Sequence, residues 1–147
     1  MCFVLYVGTE KSLIRKKWDI DAPDLCIESL TENDSIIKTH FTKQEIQYVG
    51  STSCCGCDFP HVILQNGEWP VFEDPEDDQE RKAKNRYNRE RLMALLKSTG
   101  EEFVEIYGIW DGDYDKEPKA KEFIQLMEIL DNNFFFKEQG FYVVNIL

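Results

Sequence analysis

The segment Phe103-Val104-Glu105-Ile106-Tyr107-Gly108-Ile109-Trp110 constrains this chain more than any other. Phe103, Glu105, Tyr107 and Ile109 fall on one face of an extended chain, and Val104, Ile106 and Trp110 on the other. That period of two, in residues that favour β structure, predicts a strand and commits the chain to a sheet. Three further segments read as strands: Cys2 to Val7, ending at Gly8; Leu25 to Ser29, after Pro23; and Glu45 to Val49, stopped by Gly50-Ser51. Val62 to Gln65 and Glu68 to Phe72 flank Asn66-Gly67, which supplies the two positive φ angles of a hairpin turn, with Pro70 marking an edge or a break. Phe134 to Lys137 and Phe141 to Leu147, joined by Glu138-Gln139-Gly140, predict a second hairpin.

Helical signals are fewer. Thr31 with Asp34 resembles a capping box, and the pairs Ile36/His40 and Ile37/Phe41 predict a short helix over 32–41. A long helix opens at Asp74-Pro75-Glu76-Asp77-Asp78 and ends before Gly100, with Tyr87, Leu92, Leu95 and Leu96 as its apolar face. Another runs from Pro118 to about Leu130 with the stripe Phe123, Leu126, Met127 and Leu130. Lys11 to Pro23, anchored by Trp18, reads as a surface connection. The fold class is α+β: a single domain over 1–147 with a largely antiparallel sheet, two hairpins, one long helix and one or two shorter helices.

Composition narrows the function classes. A chain of 147 residues, 42% hydrophobic and 31% charged, has the balance of an ordinary soluble globular domain with one core. No stretch approaches the ~20 apolar residues of a membrane span, and the apolar run after Met1 is short for a signal peptide. A net charge of −11 repels nucleic acid and anionic membranes. The basic residues from Arg81 to Arg91 are spread around a helix behind the acidic run Glu73 to Glu80, which offers no phosphate-tracking stripe. The partners expected are neither nucleic acid nor membrane, and a protein partner stays open.

Chemistry concentrates in Ser51-Thr52-Ser53-Cys54-Cys55-Gly56-Cys57-Asp58-Phe59-Pro60-His61, which holds three of five cysteines and one of two histidines. An odd cysteine count argues for reduced thiols in a cytoplasmic protein, without bridges from this loop to Cys2 or Cys26. Cys54, Cys55, Cys57 and His61 form the candidate metal set, since a Cys-x-x-Cys turn lets two thiolates reach one zinc ion. Cys2 or Cys26 is the source of a further ligand if a strand edge passes close by. The same thiols are candidates for redox or nucleophilic chemistry, although Pro60 follows where a thioredoxin-like dithiol would open a helix. Structural cysteines in an interaction module, with Trp18, Trp69 or Trp110 facing a partner, are the third reading. Elsewhere Asp111, Asp113, Asp115 and Glu122 match calcium-loop spacing, but Lys116 and Pro118 interrupt it, and a solvated turn is the simpler reading. His40 reads as a hydrogen-bonded boundary residue.

Two resemblances bear on the loop. Met1-Cys2 before a strand, with Asn66-Gly67-Glu68, resembles class II glutamine amidotransferases over a few residues, which would imply Cys2 as nucleophile. The segment from His40-Phe41 through Tyr48-Val49-Gly50-Ser51 to Cys55-Gly56-Cys57-Asp58-Phe59, with Met1-Cys2, is similar to a group of small bacterial proteins carrying a Tyr-x-Gly-Ser then Cys-Gly-Cys-x-Phe pattern. That likeness spans the first half of the chain loosely, implies no reaction, and makes Cys55 and Cys57 the pair to watch, Cys54 being additional to it.

Overall fold

The computed structural model describes residues 2–61 and 75–147, with the side chains of 75–78 excepted. The strand expected at Phe103 is β4 (Phe103–Trp110), and it lies beside β1 (Phe3–Thr9), whose seven residues are all buried. They pair antiparallel, Tyr6 opposite Tyr107, at the middle of a sheet that has six strands among the described residues. With β2 (Cys26–Ser29), β3 (Glu45–Gly50), β5 (Ala120–Gln125) and β6 (Gly140–Asn145), the sheet order is β2-β3-β1-β4-β6-β5. All neighbours are antiparallel except β5 and β6. The architecture is α+β with a mostly antiparallel sheet, as its strand-rich sequence requires.

Strand alternation divides the core between the two faces. Phe3, Leu5, Val7, Val104, Ile106, Tyr142 and Val144 pack on one face with Leu92 and Leu96 of the long helix α1 (Pro75–Ser98). Burying each of those leucines contributes about 1.5–3 kcal/mol. Val4, Tyr6, Tyr107, Ile109 and Phe141 form the other face, covered by Ile37 from a 3-10 helix at Ser35–His40. Within α1, Asn88 and Arg89 are buried whereas Arg81 to Lys84 and Arg86 are exposed. Arg89 donates to the carbonyls of Ile129 and Asp131, tying the helix to the segment after β5.

Three local expectations are corrected. The helix over 32–41 contracts to the 3-10 helix Ser35–His40, while the Asp34 carboxylate accepts from the Thr31 amide (2.6 Å), the return bond of the expected capping box, and from the Tyr6 hydroxyl (3.0 Å). The helix from Pro118 to Leu130 is β5 followed by a 3-10 helix, Leu126–Leu130. Ile124 and Leu126 alternate inward, while Phe123 (75% exposed) and Met127 (66%) face outward, so pairing with β6 overrides the helical spacing. The second hairpin is absent: Phe136 makes an isolated parallel bridge with His61, and β6 pairs with β4 and β5. The hairpin centred on Asn66-Gly67 lies outside the described residues.

Candidate metal centre

The Cys54–His61 segment is an irregular loop leaving the end of β3, with no helix through it. Three anchors hold it. Tyr48 Oη donates to the Cys54 carbonyl at 2.7 Å, and Trp18 Nε1 donates to the Thr52 carbonyl at 2.7 Å. From α1, the fully buried Asn88 accepts from the Thr52 amide (2.9 Å) and donates to the Thr52 hydroxyl (3.1 Å). Inside the loop, the Ser51 amide donates to the Cys55 carbonyl at 2.6 Å and the Cys54 amide to the Ser51 carbonyl at 2.8 Å.

Two glycines let the loop seat. A Cβ on Gly56 would lie 2.3 Å from the Phe3 carbonyl oxygen and 3.1 Å from Val4 Cα, so only glycine admits this approach to β1. The contact sets Cys55 and Cys57 against Cys2, and the three sulfurs lie within 4.8 Å of one another. Two sulfurs bound at 2.3 Å to a tetrahedral zinc ion stand about 3.8 Å apart, so small side-chain adjustments gather these three around one ion. The Cys57 amide donates to Cys55 Sγ at 3.4 Å, the kind of contact that holds a thiolate ligand in place. Gly50 plays the same part at the second group. It is opposite Cys26 in the β2–β3 ladder, and a Cβ there would meet Cys26 Sγ at 2.8 Å.

The structure therefore divides the predicted ligand set. Cys55 and Cys57 join Cys2, while Cys54 joins Cys26 and Glu28, and His61 belongs to neither group. The division has a backbone cause: Cys54 adopts a left-handed φ of 65°, costing about 1–2 kcal/mol, and its sulfur lies 3.1 Å from Cys26 Sγ. His61 stacks on Phe3 at 4.8 Å between ring centroids. Its Nδ1 lies 2.8 Å from the Phe59 carbonyl, an acceptor only, so Nδ1 carries the proton. Burial holds the His61 pKa below its ordinary value. All five cysteines are free thiols.

Electrostatics speaks against Cys57 or Cys26 as an activated nucleophile. Burial pushes the Cys57 thiol up, and hydrogen bonding to Cys55 adds to it, although the Phe3 backbone bond opposes the rise. Burial and the neighbouring Cys54 push the Cys26 thiol up to about 12. A reactive cysteine needs the opposite shift. Two surface grooves, of about 380 and 400 Å³, are lined without any cysteine.

The other sequence candidates are engaged elsewhere. Asp111 accepts from the Tyr114 hydroxyl, Asp113 pairs with Lys116 at 3.3 Å, and Glu122 pairs with Lys137 at 3.3 Å, so three of the four calcium-loop carboxylates serve separate partners. His40 Nε2 lies 3.1 Å from the Tyr114 carbonyl, at the boundary foreseen for it. Trp110 packs edge-on against Phe3 and His61, and Trp18 anchors the loop; Trp69 is outside the described residues. Among the described residues no helix is long and apolar enough to cross a membrane. No family model, no curated protein and no solved structure matches the chain.

Proposed function

We propose that this protein binds a thiophilic metal ion, zinc in the first instance, through Cys2, Cys55 and Cys57. The observation that carries the reading is the mutual approach of three sulfurs from two distant parts of the chain, produced by the seating of Gly56 on Phe3. A metal ion offsets the elevated thiol pKa by displacing the protons, as thiolate ligation requires. Three protein ligands leave a fourth tetrahedral position for water or an external donor. The role is binding rather than catalysis, because the raised Cys57 thiol runs against nucleophilic activation and the described grooves are lined without a cysteine.

Competition between the reduced protein and a chromophoric zinc chelator tests this. The wild type takes up one zinc per chain, and saturation at 100 times the dissociation constant raises stability by about 2.7 kcal/mol. Cys2→Ser, Cys55→Ser and Cys57→Ser each lose that uptake, whereas Cys54→Ser and His61→Ala keep it. Uptake that survives Cys2→Ser but fails in His61→Ala restores the local ligand set and overturns the three-sulfur site.

A further inference from the structure

The second cysteine pair carries a different chemistry. Cys26 on β2 faces Gly50 on β3, where a cross-strand side chain would ordinarily stand. Because Gly50 has none, the loop folds back and Cys54 fills the vacant space, its carbonyl carbon and oxygen both 3.0 Å from where a Gly50 Cβ would be. The two sulfurs end 3.1 Å apart. That is shorter than the about 3.8 Å between two thiolates sharing a tetrahedral zinc ion, and about 1 Å longer than a disulfide bond. Zinc would have to push this pair apart, whereas a disulfide only has to draw it together. The left-handed backbone at Cys54 and the Tyr48 bond to its carbonyl hold one sulfur over the other.

We propose that Cys26 and Cys54 are a disulfide-forming pair that hydrogen peroxide closes, covalently joining the cysteine loop to β2. Cys54 is half-buried and Cys26 fully buried, so the oxidant meets Cys54 first. The Cys54 sulfur attacks one peroxide oxygen, the O–O bond breaks, and the leaving hydroxide takes the thiol proton to become water. Cys54 is left as a sulfenic acid. The Cys26 sulfur, already 3.1 Å away so that proximity offsets its raised pKa, then attacks the Cys54 sulfur, the S–O bond breaks, and the departing hydroxyl takes the Cys26 proton as a second water. Two thiols have lost two electrons and one peroxide has gained them. None of this rests on the zinc reading, since neither sulfur belongs to the Cys2, Cys55 and Cys57 group.

The test is peptide mapping by mass spectrometry, without reductant, of the full chain after one equivalent of hydrogen peroxide. The expected product has lost two hydrogens and contains a Cys26–Cys54 crosslink that dithiothreitol reverses, while Cys2, Cys55 and Cys57 still alkylate. Cys57→Ser forms the same crosslink, which separates this result from any failure of zinc binding. In Cys26→Ser the reaction stops at the Cys54 sulfenic acid, trapped by a cyclic 1,3-dione. A predominant Cys55–Cys57 or Cys2 crosslink overturns the proposal, as does over-oxidised Cys54 beside a free Cys26 thiol in the wild type.

Discussion

Gly56→Ala separates the contribution of the loop's seating from that of the sulfurs themselves. The added methyl would stand 2.3 Å from the Phe3 carbonyl oxygen and 2.9 Å from its carbon, both backbone atoms of a fully buried strand. Ordinary heavy-atom contact is about 3.5 Å, so the loop must retreat by roughly 1 Å. Overpacking of this kind costs about 1–3 kcal/mol. The retreat carries Cys55 and Cys57 about 1 Å further from Cys2, beyond what side-chain adjustment recovers, and metal–ligand distances must fall within about 0.2 Å of their ideal values. Zinc affinity should therefore fall at least 10–100-fold, the range seen when supporting contacts of a metal site are lost. Gly100→Ala is the control: with φ +66° and nothing within 4 Å it costs about 1–2 kcal/mol of backbone strain, far from the cysteines. Urea denaturation and chelator competition on both variants decide the matter. Comparable destabilisation with zinc loss confined to Gly56→Ala is the expected result. Wild-type zinc affinity in a folded Gly56→Ala protein would refute the claim that this contact builds the site.

Two further results follow from named side chains. The Asp24 carboxyl is raised by its partial burial, but hydrogen bonds from Arg91 and Lys16 outweigh that and hold it well below its ordinary value of 3.8. A depressed folded pKa stabilises above the unfolded value and is lost as pH falls below it, so the urea midpoint should drop on acidification below about pH 4, and by less in Asp24→Asn. A midpoint equally acid-sensitive in both proteins would remove that role from the Asp24 cluster. Asn88→Ala leaves the Thr52 amide without its buried acceptor and should cost about 1–3 kcal/mol in denaturant unfolding. It should also weaken zinc binding, and unchanged affinity would show that α1 does not position the loop.

Much of the sheet is legible in the sequence because alternation is local. The face assignment of β4 survives in the structure, with Val104 and Ile106 in one core and Tyr107 and Ile109 in the other. What escapes depends on partners distant along the chain. Phe123, Leu126, Met127 and Leu130 have helical spacing, yet β6 imposes a strand on 120–125 through a parallel pairing that no local pattern announces. At the site, Cys55 and Cys57 are evident from composition, and Cys2 only as a contingent ligand. Which cysteine faces which is fixed by a ladder register, Cys26 opposite Gly50, and by a close approach, Gly56 on Phe3. Neither contact has a signature beyond the bare presence of a glycine. Cys54 and His61 look like ligands by spacing, but a left-handed φ and a ring stacked on Phe3 give them other places.

X-ray absorption at the zinc edge of the reduced, zinc-loaded protein counts the sulfurs directly. Three sulfur neighbours at about 2.3 Å and one lighter oxygen or nitrogen neighbour are predicted for the wild type, and Cys2→Ser should retain no zinc to measure. Two sulfurs in the wild type with an imidazole shell, unchanged in Cys2→Ser, would contradict a centre built from Cys2, Cys55 and Cys57.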